Sequence, residues 1–484
     1  MEKKFIMLSI ILIQLLFIPM YTFGQTISKH RLIVLSDIEA DPDDSQSLIR
    51  LLLYSNQIDI EGLIAITSIH QKTRVAPETM RKIITAYGKV QPNLLKHESG
   101  FPSEQYLLAV VKQGLPVFGM EGVGKEKDSE GSDWIIKVLE KIDERPVWIS
   151  IWGGSNCLAQ ALWKLRETKR PEELKNLIKK LRIYAISDQD NTGYWIRKNF
   201  PDLFYVVTPG SYMSATWMGI NQVVKGENNE VISNSWLARN IQVGHGPLGA
   251  LYPDVSYGME GDTPSWLMLV QNGLNDNAVP NWGSWGGRYE LYKPDPVSDQ
   301  IPEIFTGGKP YEPESRAIWT NADDQYTPFI ANNFGKAIRR DTVIFTGNKV
   351  TLWRWRVDFQ NDFAARMEWC TSSYNEANHP PIAKLNEPEE FSVKSGDYFK
   401  LDADGSYDPD GDALSYLWFQ YPEAGTYKGI VSFGMLAENL YNVHTIKAPE
   451  VDKPQTVHFI LKVTDKGNPP LSRYKRVIVT IVPK

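Results

Sequence analysis

The chain has 484 residues, a formal net charge of −6 and two cysteines, Cys157 and Cys370. That charge leaves no basic field to attract nucleic-acid phosphates, and two cysteines make no disulfide framework, so both are expected as buried thiols. Fifteen Trp and 22 Tyr supply flat faces of the kind that serve as platforms for sugar rings, although most belong in a core.

At the N-terminus Met1-Glu-Lys-Lys precedes an apolar run from Phe5 to Met20 and the small, polar stretch Thr22-Phe-Gly-Gln25. This predicts a signal peptide over residues 1–24, too short for a membrane span and without stop-transfer charges. The mature chain is expected to be secreted or periplasmic, with no stable membrane anchor. Next, Arg31–Ser36 reads as a buried parallel strand, Ser45–Asn56 as a helix with Leu48, Leu51 and Leu52 inward, and Ile60–Ile66 as a second strand. The loop inside this βαβ unit is Asp37-Ile-Glu-Ala-Asp-Pro-Asp-Asp44, five carboxylates in eight residues at the C-terminal end of a strand, where open α/β sheets bind ligands. Helix capping explains Asp43 and Asp44. Five crowded acids call for protons, a substrate or a hard cation with oxygen ligands.

Further along, Trp148–Leu162 reads as strand, Gly153-Gly154 turn and helix, and Leu181–Ile186 as another strand. Asp188, Gln189, Asp190 and Asn191 follow that strand, so they are predicted at the same rim, positioned to bind hydroxyl pairs. Trp282, Trp285 and Arg288 lie in a Gly-rich loop that could form a stacking wall or simply a packed aromatic turn. From 371 to 382 the pattern dissolves into a polar stretch ending in Pro380-Pro381, read as an exposed linker between a large α/β domain (26–370) and a β-only domain (383–484). The short β-rich runs after it predict an immunoglobulin-like sandwich. Within it, Asp408, Asp410 and Asp412 alternate, but Ala413 and Phe419 occupy the positions where an EF-hand needs Gly and Glu. The run resembles the Asp-Pro-Asp-Gly-Asp turn of PKD and cadherin-like modules and is read as a strand-connecting turn with a calcium option.

The acid loop resembles the Asp-x-Asp-Pro-Gly-x-Asp-Asp motif of nucleoside hydrolases, which implies a mostly parallel open sheet with flanking helices and a calcium-binding site. Matched from its ends, the motif places Asp37, Asp43 and Asp44 on family acids, with Asp37 and Asp44 as metal ligands and Asp43 catalytic. Glu39 takes the position of the acid that serves as base, but Asp41 is an additional acid, and the base role stays open between these two. By the same resemblance Asn156 matches the Asn of a Gly-Pro-Leu-Thr-Asn turn and is assigned to substrate binding. His245, in Gly244-His-Gly-Pro-Leu-Gly-Ala-Leu251, falls on the residue that protonates the leaving group. Gly246 replaces the Asp that completes the calcium shell, and Glu260 and Asp262 are the nearest acids that could restore it. Longer strings, among them Ile186-Ser-Asp-Gln-Asp190, Trp195-Ile-Arg-Lys-Asn-Phe-Pro201 and Trp282-Gly-Ser-Trp-Gly-Gly-Arg288, resemble a bacterial family of cellulose-binding proteins. The expected substrate is a polysaccharide or oligosaccharide, with Asp188, Asp190, Trp195, Glu260, Asp262, Trp282, Trp285 and Arg288 as further binding residues. The expected activity is hydrolysis of a glycosidic or N-ribosyl-like bond. The alternative is a binding protein that keeps the fold without the chemistry.

Overall fold

A computed structural model of the chain describes residues 28–210, 212–295, 312–331, 337–339, 343–433 and 441–484. The predicted signal peptide lies outside them. Eight strands form the main sheet: β1 (His30–Ser36), β2 (Ile58–Ala65), β3 (Val111–Gln113), β4 (Val147–Ile151), β5 (Leu181–Ala185), β6 (Phe204–Val206), β7 (Tyr289–Tyr292) and β8 (Ile318–Asn321). Their order is β3-β2-β1-β4-β5-β6-β8-β7, parallel throughout except for β7 against β8. The chain therefore winds outward from β1 in one direction and from β4 in the other. The crevice where the winding reverses opens above the C-terminal ends of these two strands.

Alternation along β1 decides the layers. Leu32 and Val34 pack with α1 (Asp43–Leu52) and α2 (Pro77–His97) on one face. Ile33 and Leu35 pack on the other face with α4 (Glu130–Leu139), α5 (Asn156–Thr168) and α7 (Thr192–Asn199), while α3 (Glu104–Ala109) and α6 (Pro171–Lys180) lie at the margins. Covered on both sides, the central strands can be continuously apolar, as the sequence is.

Two small ladders pair β9 (Asp324–Tyr326) with β12 (Phe345–Gly347) and β10 (Phe329–Ala331) with β11 (Ala337–Arg339). The C-terminal region is all-β. One sheet joins β13 (Glu390–Lys394), β18 (Ser472–Val482), β17 (Gln455–Thr464) and β15 (Ser415–Gln420), and a second pairs β14 (Tyr398–Asp402) with β16 (Val443–Lys447). Phe399, Leu401 and Ile446 meet Trp418, Phe459, Leu461 and Val479 between them.

The exposed linker is the expectation that changes most. Residues 371–376 lie largely at the surface, but 377–381 are buried. His379 stacks on Trp369, Tyr374 and His97, and one apolar core runs from the large domain into Phe419, Tyr421, Ile460 and Tyr474 of the β-rich region. Polar bonds cross the junction as well. Asp358 accepts from Lys462 at 2.6 Å and from Tyr474, Arg473 pairs with Asp362 at 2.7 Å, and Tyr421 donates to Asp324 at 2.6 Å. Limited proteolysis is therefore expected to cut within 371–376 and leave both fragments co-eluting on size exclusion until denaturant is added, because separation would expose this shared core. Elution of a free β-rich fragment in native buffer would contradict it. Both cysteines are free and buried. No described helix is long and apolar enough to cross a membrane.

Candidate functional site

The loop after β1 is shaped by two local devices. The Ala40 N–H donates to the Asp37 carbonyl at 2.9 Å, closing a turn that holds Glu39 at φ 80°, a left-handed conformation unusual outside glycine. This geometry turns the Glu39 side chain outward to Arg74 and Thr79, which hold its carboxyl below the ordinary range, the Thr79 bond first. The second device is an Asp41 carboxylate accepting from the Asp43 N–H at 2.9 Å, which sets the first turn of α1. Ser36 at the end of β1 accepts from the Ile38 N–H at 3.1 Å and donates to Asp44 at 2.5 Å.

These bonds aim Asp37, Asp41, Asp43 and Asp44 into a cavity of about 580 Å³, within the size range of small-molecule sites. Asp262 joins them from a loop more than two hundred residues later. Glu260 straps that loop to α1: its carboxylate meets Arg50 at 2.7 Å and Tyr252 at 2.6 Å, and its N–H donates to Gln46 at 2.9 Å. Glu260 thus positions Asp262 rather than facing the cavity. Close approach also requires glycines. A Cβ at Gly153 would lie 2.6 Å from an Asp37 oxygen, and one at Gly261 would lie 2.7 Å from an Asp43 oxygen.

The walls are aromatic and polar: Trp152, Tyr212, Trp217 and Tyr257, with His70, Gln189 and Asn221. His70 Nε2 and the Tyr212 hydroxyl are 3.0 Å apart, and Trp217 donates to the Ile186 carbonyl at 2.9 Å. No lysine or arginine lines the cavity among the described residues. Burial and mutual repulsion consequently push the carboxyls of Asp43, Asp44 and Asp262 well above the usual carboxylate range, and Asp37 upward. One oxygen of Asp262 is buried without a hydrogen-bond partner. Ligand oxygens of Asp41, Asp43 and Asp44 lie within 4.8 Å of one another, so these acids could hold a metal ion. The donor set, all carboxylate oxygen, fits a hard cation.

Other predicted binding residues are placed elsewhere. Asp188 is buried against Arg197, whose guanidinium also holds Glu314, so its oxygens are already occupied at 2.8 Å each. Asp190 accepts from Thr192 at 2.8 and 2.5 Å and from the Asn156 N–H at 3.2 Å, fixing the start of α7. Asn156 donates to Thr67 and to the Val117 carbonyl, tying loops together behind the cavity. Trp195 packs on Phe200 under Arg166 in the outer helix layer.

The stacking wall is corrected outright. Trp285 is fully buried against Phe359 and Tyr474, Trp282 packs on His458, and Arg288 pairs with Asp324 at 2.7 Å, all at the domain junction. His245 does not reach the cavity either; its ring faces Glu368 at 3.5 Å, where the turn Gly246–Gly249 packs on α2.

Sequence reading passed over His70, Tyr212, Trp217, Asn221 and Tyr257. The signal that could have found His70 is its place, five residues beyond the end of β2 on the same rim.

Residues 31–289 match the nucleoside hydrolase-like domain of the cellulose-binding Sde182 family, and residues 398–481 match the C-terminal domain of cellulose-binding protein Sde0182. Among solved structures, a nucleoside hydrolase-related hypothetical protein from Saccharophagus degradans, associated with carbohydrate metabolism, is 34% identical. It aligns over 94% of this chain and 100% of its own, with a TM-score of 0.75. The PKD domain from KIAA 1837 protein is 24% identical over 21% of this chain and 86% of its own, but its TM-score of 0.16 is too low to indicate a shared fold. No curated protein matches the chain.

Proposed function

Because the chain belongs to the cellulose-binding Sde182 family, with its nucleoside hydrolase-like N-terminal domain, we propose that it is an exported glycoside hydrolase that takes a sugar unit of an oligosaccharide or polysaccharide into the acid cavity. The observation carrying this reading is five aspartates converging on a pocket walled by four aromatic rings. Sugars present hydroxyl pairs to carboxylates and C–H faces to aromatic rings, so this lining suits them.

The chemistry follows from the protonation states that the cavity imposes. A carboxyl held above its ordinary range is favoured in its protonated form and can deliver that proton to a glycosidic oxygen, and an ionised neighbour can take one from water. Asp43 and Asp262 are suited to carry the proton. Of the two candidates for the base, Asp41 lines the cavity and Glu39 faces outward, which favours Asp41. Trp152, Trp217 and Tyr257 orient the sugar ring. Asp37, Asp41 and Asp44 would hold calcium, which would supply positive charge beside the sugar hydroxyls, while Asp43 stays outside that set to carry its proton. Gly246 does not argue against this, since Asp262 brings another acid to the cavity.

Non-catalytic glycan binding is the second reading, favoured by the positions of Glu39 and His245 outside the cavity. Release of reducing ends from cellulose and a panel of plant and host oligosaccharides, with and without calcium, separates the two. Binding without release across the panel would favour the second.

The raised carboxyls also set a stability dependence. Each folded-state value lies above the ordinary 3.8, so in the cation-free protein the contribution of these three groups to stability is fully present below that value and is lost as pH rises through the folded values. Calcium offsets the loss. The gap between melting temperatures in calcium and in chelator is expected to widen from pH 5 to pH 8; a constant or absent gap would count against the cation.

A further inference from the structure

A second pocket, of about 400 Å³, opens beside the acid cavity and shares a wall with it. Met213, 66% exposed, lines both. From the same stretch of chain Trp217, Met218 and Asn221 line the acid cavity, while Gln222, Val224 and Lys225 line the second pocket. The opposite wall of that pocket is the segment 345–353.

Local contacts hold the two walls together. Gly219 lets them touch, since a Cβ there would lie 2.5 Å from the Lys349 carbonyl oxygen. Asn348 donates to the Ser214 carbonyl at 2.9 Å, and Arg356 donates to the Gln222 carbonyl at 2.6 Å. Asn229 exchanges two bonds of 2.8 Å with the Val224 backbone, which closes the turn carrying Lys225. Val224, Val350 and Trp353 pack as one small apolar cluster. The pocket therefore has fixed walls, as a binding site needs.

The two linings carry opposite charge. Five aspartates and no lysine or arginine line the acid cavity, whereas Lys225 and Lys349 and no carboxylate line the second pocket among the described residues. Lys349 is half-buried. Burial alone pushes its ammonium below the ordinary lysine range, with no neighbouring charge to offset the shift. Other partly buried lysines of this fold have a carboxylate: Lys112 meets Glu130 at 3.1 Å and Lys462 meets Asp358 at 2.6 Å. An ammonium that gives up hydration without a counter-ion is unfavourable, and an anionic ligand would offset that cost. Gln222 adds a side-chain oxygen that is buried without a hydrogen-bond partner, an acceptor for a hydroxyl.

We propose that the second pocket is a subsite for an anionic sugar unit, its carboxylate or sulfate held by Lys349 and Lys225, so that the glycan entering the acid cavity is an acidic one. The inference rests on the reading that the acid cavity takes a sugar, because a pocket sharing its wall then takes an adjoining unit of the same chain. The aspartates disfavour a charged unit in their own cavity, so the two linings together set which unit lies where.

The test titrates the full-length chain by calorimetry with matched pairs of oligosaccharides: glucuronate-bearing xylo-oligosaccharides against plain xylohexaose, uronate-containing gluco-oligosaccharides against cellohexaose, and sulfated galactan fragments against the same fragments desulfated. In at least one pair the acidic member is expected to bind tenfold or more tighter, and the carboxylated and sulfated arms tell which anion the pocket takes. Lys225→Met combined with Lys349→Met should cut that preference to less than threefold, since methionine keeps the apolar stem and removes the charge. Raising sodium chloride from about 0.05 to 0.5 M should weaken acidic binding by the unaltered chain at least fivefold. Neutral members bound as tightly as acidic ones would overturn the subsite and leave the sugar reading of the acid cavity standing, whereas no binding by any member would remove both. A preference that survives the double substitution also overturns the subsite. Should that variant fail to fold, an acidic preference of the unaltered chain that salt does not weaken overturns it alone.

Discussion

Asp43→Asn is expected to lower turnover on any substrate found by about 10²–10⁴, the contribution of a positioned proton-transfer group, while changing glycan affinity by only a few fold. Asn preserves shape and keeps an oxygen facing the cavity, so the change removes titration rather than packing. The wall formed by Trp152, Trp217 and Tyr257 is untouched. Rates and affinities measured together by oligosaccharide hydrolysis and calorimetry give a clear reading. Unchanged turnover would place the reaction elsewhere. A protein that only binds would have no turnover to lose, and the change would appear as weakened affinity.

The second large effect is on stability. Arg197→Met should destabilise the protein by about 3–5 kcal/mol, because it strands two buried carboxylates that the guanidinium now neutralises. Asp188 and Glu314 are both essentially inaccessible, and each meets Arg197 through two oxygens. Methionine fits the aliphatic path of the side chain, so cavity formation contributes little. Urea unfolding followed by tryptophan fluorescence should show a lower midpoint with little change in slope. A shift below 1 kcal/mol would mean that Asp188 is not a structural anchor and would reopen its assignment to sugar binding.

Much of the fold was legible because local patterns carried it. The run Arg31–Ser36, the acids behind it and the inward leucines of α1 specify a buried parallel strand, a rim loop and a helix without outside help. Contacts distant in sequence decided the rest. Asp188 follows a strand as a ligand-binding acid would, but Arg197 and Glu314 claim it, the latter 126 residues away. Asp262 belongs to the cavity only because Glu260 is bound by Arg50, 210 residues earlier. Glu39 matched a motif position, yet the turn it occupies at φ 80° points it away. Aromatic residues in a Gly-rich loop look the same whether they face a sugar or, like Trp285, the Tyr474 ring.

The core shared across the junction bears on how the protein would work at a solid substrate. Modules joined by long floppy tethers let an enzyme wander over a polymer surface while its anchor stays put. Here the β-rich region is a rigid handle. Were that handle to hold a fibre, the mouth of the acid cavity would meet the polymer at one fixed distance and orientation, so each landing would sample a single spot and sliding would require letting go.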